Sequence, residues 1–128
     1  MDEAEVFARI GEEGFARLVR AFYRQVPADE ILGRMYPAGD LAAAEERLRD
    51  FLVGRFGGPA RYIEQRGHPR LRARHAPFQI DRPARDRWVH LMHRALEEAG
   101  IAPEPAAVLR AFFDATATFM INQPGAEG

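Results

Sequence analysis

Residues 57–78 read Gly57-Gly58-Pro59-Ala60-Arg61-Tyr62-Ile63-Glu64-Gln65-Arg66-Gly67-His68-Pro69-Arg70-Leu71-Arg72-Ala73-Arg74-His75-Ala76-Pro77-Phe78. Glycine and proline punctuate this span, so only short helical turns and loop are expected over 59–80. The pattern on both sides is helical. Before it, Leu41, Ala44, Leu48, Phe51 and Leu52 recur at helical spacing and predict a helix over 40–55. Asp40 is its expected N-cap, and Gly57-Gly58-Pro59 its stop. Further upstream, Phe15, Leu18, Val19, Phe22, Tyr23 and Val26 predict a helix over 13–26, ended by Pro27. A short helix over 29–35 closes at Tyr36-Pro37, because the residue before proline is pushed out of helical geometry. After the broken span, Asp81 or Arg82 caps a helix over 82–99, with Pro83 in its first turn and Gly100 at its end. Ala84, Trp88, Leu91, Met92, Ala95, Leu96 and Ala99 share its apolar face. A last helix over 104–121 carries Val108, Leu109, Phe112, Phe113, Thr116, Phe119 and Met120. No segment alternates as a strand does. The expected class is all-α, and 128 residues fit one domain, 1–128.

Composition removes most chemistries. The chain has no Cys, no Ser and no Lys, and all 18 basic residues are Arg. Disulfides, thiolate metal sites, cysteine and serine nucleophiles, Schiff-base lysines and a Walker A loop are excluded. An external cofactor does the chemistry, or the chain is a binding protein. No stretch reaches the ~18 apolar residues of a membrane span, and the acidic start MDEAEVFARI is unlike a signal peptide, which gives a cytoplasmic expectation. Net charge is −1, yet unevenly spread. Residues 61–94 hold 9 Arg against 3 acids, while 1–60 hold 8 Arg against 11 acids.

The histidines differ in prospects. His90 and His93 stand about 200° and 140° around the 82–99 helix from Trp88, off the apolar face, and read as solvated. His68 precedes Pro69 at a helix start, where a polar side chain commonly satisfies backbone N–H groups. His75 ends a short helical segment after Arg70, Arg72 and Arg74; its residues alone allow a structural role or a metal ligand. Tyr23 and Trp88 lie on apolar faces and Tyr36 at a helix end. Such aromatics are usually core, but buried Tyr and Trp polar atoms need partners. Their convergence in an apolar space would make a cluster of hydrogen-bond donors.

Gly57-Gly58-Pro59, Tyr62, Gln65 through Arg72 and Arg74 through Phe78, with Tyr36-Pro37 and Trp88, resemble the truncated haemoglobins, specifically their group II (O-type) branch. The resemblance spans about residues 4–123. It implies a shortened globin, a two-over-two helical sandwich around haem b. It implies His75 as the proximal iron ligand and Tyr23, Tyr36 and Trp88 as the distal ligand-binding residues. Ala44 falls where many globins place a distal His or Gln and offers no hydrogen bond. Leu48, Phe51 and Leu52 would wall the haem, and Phe78, Ile80 and Met92 would supply further contacts. Arg47 and Arg74 are expected on the haem propionates, which Arg binds in bidentate fashion.

Function follows as an expectation. The ferrous iron would bind O2, CO and NO reversibly. Several donors around O2 imply slow release, so an oxygen-handling or redox role such as NO dioxygenation or peroxide reduction, served by a reductase, suits it better than simple transport. Relatives in this branch often form homodimers, and Phe56 or Phe119 is the expected exposed aromatic for such an interface. No membrane and no nucleic acid are expected as partners. The contrasting reading is a haem-free helical module that binds an acidic partner through the Arg-rich 61–94 segment.

Overall fold

The computed structural model describes residues 1–76 and 78–123; Pro77, one of the expected chain breakers, lies outside them. Among the described residues every regular element is helical. The α-helices are α1 (Val6–Gln25), α2 (Leu41–Arg55), α3 (Arg61–Arg66), α4 (Leu71–Arg74), α5 (Arg82–Glu98) and α6 (Pro103–Phe119). None of them is long and apolar enough to cross a membrane. Helices α1 and α2 form one packed pair, α5 and α6 a second, and α1 also lies along α5. This is the two-over-two arrangement.

The boundaries follow from local chemistry. Helix α1 is interrupted at Gly11, whose φ of 69° is closed to most side chains, and the segment after that break is the helix expected over 13–26. The segment expected as a helix over 29–35 is only a 3₁₀ turn, Leu32–Arg34. The Asp29 side chain explains this, because it accepts from the N–H of Ile31 (3.0 Å) and of Leu32 (2.8 Å) and holds a tight turn instead. Asp81 caps α5 as expected, accepting from the Ala84 N–H at 2.9 Å. Asp40 does not cap α2. It belongs to a 3₁₀ turn, Ala38–Asp40, that runs into the helix with helical dihedrals, so its side chain makes no capping bond. Gly100, with φ of 70°, follows the C-cap Ala99.

Gly57 has a structural task beyond stopping α2. Its φ is 103°, and a Cβ there would stand 2.1 Å from the Ala4 carbonyl oxygen. The chain start crosses directly over this turn, and the Phe7 N–H donates to the Phe56 carbonyl at 3.0 Å.

The core lies where α1, α2, α5 and α6 meet, with Phe15, Phe22, Phe56 and Phe113 fully buried. Phe56 is therefore no surface aromatic, contrary to expectation. It ends α2 facing inward, edge-on to Phe112 at 5.0 Å. Phe119 is 62% exposed.

Candidate functional site

A cavity of about 560 Å³ opens between α2 and α5–α6, roofed by the segment around Tyr36 and floored by α3, α4 and the chain to Ile80. Its walls are mostly apolar, with a few polar groups at fixed places, the usual make-up of a cofactor site. The expected site residues Tyr23, Tyr36, Ala44, Arg47, Leu48, Phe51, Leu52, Arg74, His75, Phe78, Ile80 and Trp88 all line it. Met92 does not. It is fully buried in the core one helical turn beyond Trp88, because the apolar stripe of α5 continues past the cavity into the packing with α1.

One wall carries three polar aromatics. Tyr23 from α1 and Tyr36 meet edge-to-face at 5.6 Å, and Phe22 spaces Tyr23 (4.9 Å) from Trp88 on α5 (5.5 Å). Burial, then the neighbouring Tyr36, pushes the Tyr23 hydroxyl far above the usual phenol range. Burial likewise raises Tyr36, against a lowering influence of the neighbouring Trp88 and Tyr23 side chains. Both phenols stay protonated at neutral pH and remain donors. Ala44 brings no polar atom to this wall.

The facing wall is built on short elements. His75 caps α4 at its C-terminal end. Its Nδ1 lies 2.7 Å from the Leu71 carbonyl, an acceptor, so Nδ1 carries the hydrogen. In the neutral ring Nε2 then keeps its lone pair, and among the described residues it has no hydrogen-bond partner. Asn122 ties the same segment to the end of α6, donating to the Phe78 carbonyl at 2.9 Å while its Oδ1 accepts from the Ile80 N–H at 2.9 Å.

Cavity residues that sequence reasoning missed include Tyr62, Leu71, Arg85 and Thr116. Tyr62 is buried against Phe51 at 5.7 Å. Arg85 precedes Trp88 by three residues, so helical spacing alone put both on one face. It donates to the Thr118 hydroxyl (3.0 Å) and the Asp114 carbonyl (3.1 Å).

The other histidines stand apart. His90 is exposed. His93 is not simply solvated, since its Nε2 pairs with Asp114 of α6 at 2.8 Å. His68 accepts from the Arg70 N–H at 3.1 Å, the backbone role expected of it.

The donor set indicates what the cavity suits. Among the described residues no three His, Cys, Asp or Glu side chains gather to hold a metal ion. A single imidazole with a free Nε2 in a large apolar cavity fits a metal that brings its own equatorial donors, and Arg47 and Arg74 at the walls fit acidic substituents on that group. The fold and the cavity are those of a small haem-binding helical protein.

The comparisons agree. The bacterial-like globin family model matches residues 5–122. Group 2 truncated hemoglobin YjbI of Bacillus subtilis is 37% identical over 121 residues, 94% of this chain and 91% of that protein. Among solved structures, the hemoglobin of Chloroflexus aurantiacus superposes with a TM-score of 0.88 at 44% identity, covering 92% of this chain and 98% of that one. The group II truncated hemoglobin of Bacillus anthracis gives 0.90 at 33% identity, covering 96% and 95%. The chain belongs to the bacterial-like globins, in their group II truncated haemoglobin branch. Its cofactor is haem b and its function haem-based binding of diatomic gas.

Proposed function

We propose that His75 is the proximal iron ligand and that Tyr23, Tyr36 and Trp88 form the distal hydrogen-bonding wall. The observation that carries this is the His75 ring, whose Nδ1–H is committed to the Leu71 carbonyl and whose Nε2 is left as the ligating atom. Leu48, Phe51 and Leu52, with Phe78 and Ile80, exclude water from the haem faces; Arg47 and Arg74 pair with the propionates. When bound, haem supplies an iron with one coordination position open to O2, CO or NO.

The chain's own residues set how long the ligand stays. With Ala44 silent, donation to O2 falls to the Trp88 N–H and the two phenols. Each such bond contributes roughly 0.5–1.5 kcal/mol. Release is therefore slow, and the protein handles O2 in redox chemistry, such as consumption of NO or reduction of peroxide, with a reductase restoring the ferrous state. No His stands on that wall to move a proton, so peroxide turnover is modest.

Absorption spectra of the ferric, ferrous and CO-bound forms test the reading. A Soret band that shifts strongly on CO binding, and its loss in His75→Ala, are expected. An unchanged spectrum in His75→Ala refutes the assignment.

A further inference from the structure

Between Glu64 and Asp81 the chain carries no acid, yet it carries Arg66, Arg70, Arg72 and Arg74. Elsewhere, among the described residues, eight of the fourteen arginines have a carboxylate within 4.0 Å, among them Arg9 with Glu104, Arg55 with Glu3, Arg61 with Glu12, Arg82 with Asp86 and Arg87 with Asp29. Among the described residues none of the four has a carboxylate partner within 4.0 Å. Arg72 donates instead to the carbonyls of Phe119 and Ile121, both at 3.2 Å, and Arg74 to that of Arg66 at 3.0 Å. Carbonyls orient these guanidinium groups without neutralising them, so the face keeps its charge. Arg70 holds it in a left-handed backbone conformation, φ 44°, which non-glycine residues rarely adopt.

The elements that these contacts tie together also carry exposed apolar side chains. Arg72 reaches the end of α6, where Phe119 is 62% exposed, and Arg74 ties α4 to α3, where Ile63 is 57% exposed. Beneath them Tyr62, covered by the guanidinium groups of Arg66 and Arg74 at 5.9 and 5.8 Å, and His75 line the cavity. Charged groups and exposed apolar side chains on the elements that build the wall holding His75 have the make-up of a transient protein interface.

We propose that this face, with Arg66, Arg70 and Arg72 around Ile63 and Phe119, docks an acidic protein that donates single electrons. The inference rests on the haem assignment above. In the step it serves, one electron passes from the donor's reduced iron–sulfur or flavin centre to ferric haem iron. The donor is oxidised by one electron, the iron becomes ferrous, and no bond or proton of this chain changes. A nucleic acid is the less suitable occupant, because it gives Ile63 and Phe119 no apolar counterpart.

The test uses ferric holoprotein and reduced plant-type ferredoxin, an acidic iron–sulfur protein, mixed anaerobically and followed at the Soret band. Between about 10 mM and about 1 M ionic strength the Debye length falls from about 30 to about 3 Å. The second-order rate constant is expected to drop about tenfold or more over that range, and by a similar factor at low salt in Arg66→Glu/Arg70→Glu. Dithionite should reduce both proteins alike. Oxidised ferredoxin should shift the backbone amide resonances of Ile63, Arg66, Arg70 and Arg72 of the CO-bound holoprotein. Arg66→Gln/Arg70→Gln replaces the reversed pair if that variant loses its Soret band. A rate indifferent to salt and to both pairs of substitutions overturns the docking face while leaving the haem assignment intact. So does salt-sensitive binding of single-stranded DNA there without binding of ferredoxin. An abnormal wild-type haem spectrum instead sinks the assignment itself.

Discussion

The two walls of the cavity are built on opposite plans. In the wall of Tyr23, Tyr36 and Trp88, Tyr23 and Trp88 stand on the long helices α1 and α5, whose inner faces are core, with Phe22 fully buried between those two. The segment leading to Tyr36 is fastened to α5 by Asp29, which is buried, spans Ile31 and Leu32 with one oxygen, and takes the Arg87 Nε at 2.8 Å with the other. Arg87 adjoins Trp88, so the clamp sets the tyrosine segment against the indole. The His75 wall consists of a six-residue and a four-residue helix held mainly by arginine and asparagine bonds to carbonyls. Two of the three donors stand on long packed helices and the segment of the third is clamped to one of them, whereas the wall that admits a large cofactor is assembled from pieces short enough to move on their own.

The comparison breaks most sharply at Phe22. Phe22→Ala is expected to cost about 3–5 kcal/mol in denaturant unfolding, because it empties a fully buried site between Tyr23 and Trp88. A loss below about 1 kcal/mol would mean that this wall is not the packed one.

Next is the clamp. Burial favours a protonated Asp29, but the Leu32 N–H, the Arg87 side chain and the Ile31 N–H together hold its carboxyl below the usual value. The folded state thus binds fewer protons than the unfolded state. The stabilisation is present above pH 3.8 and is lost as pH falls below it. Asp29→Ala is expected to cost about 1–3 kcal/mol near neutral pH. The difference between wild type and variant should shrink in acid, read as unfolding midpoints against pH.

Trp88→Phe tests the same wall through the ligand. Loss of one bond of about 1.4 kcal/mol speeds O2 dissociation about tenfold. Stopped-flow rates should show a smaller effect for Tyr23→Phe. An equal or larger effect at Tyr23 would take the lead role from the indole.

The smallest effect belongs to the other wall. Ile63→Ser, at a position 57% exposed, should change stability by less than about 0.5 kcal/mol. Amides of α3 and α4 should exchange with solvent before those of α1 and α5.

Much of this was legible without coordinates. Periodicity located α2, α5 and α6 within a few residues and α1 only from its break at Gly11 onward, missing the turns from Val6, and the punctuation at Gly57-Gly58-Pro59, Gly67 and Pro69 marked the segment that stays irregular. The misses share a cause. Met92 and Trp88 stand on one apolar stripe, and spacing cannot say where along a stripe the core ends and a cavity begins. Phe56 follows a helix and precedes two glycines, a place that reads as surface until the chain start folds across it. Asp40 and Asp81 look alike as caps, yet only Asp81 has the extended backbone that lets its side chain reach back to the helix. Tyr62 was visible as an aromatic in a polar stretch, but its burial depends on Phe51 from another helix.

The sequence by itself determined the helical class, the positions of the breaks, the family and the absence of any nucleophile among Cys, Ser and Lys. All of these are local or compositional properties. The tertiary structure decided which groups face one another: Tyr23 and Tyr36 with Trp88, Asp29 with Arg87, and His75 with its Nδ1 on Leu71 and its Nε2 free. Those depend on how the helix pairs cross, and crossing is set by the packing of side chains far apart in the chain.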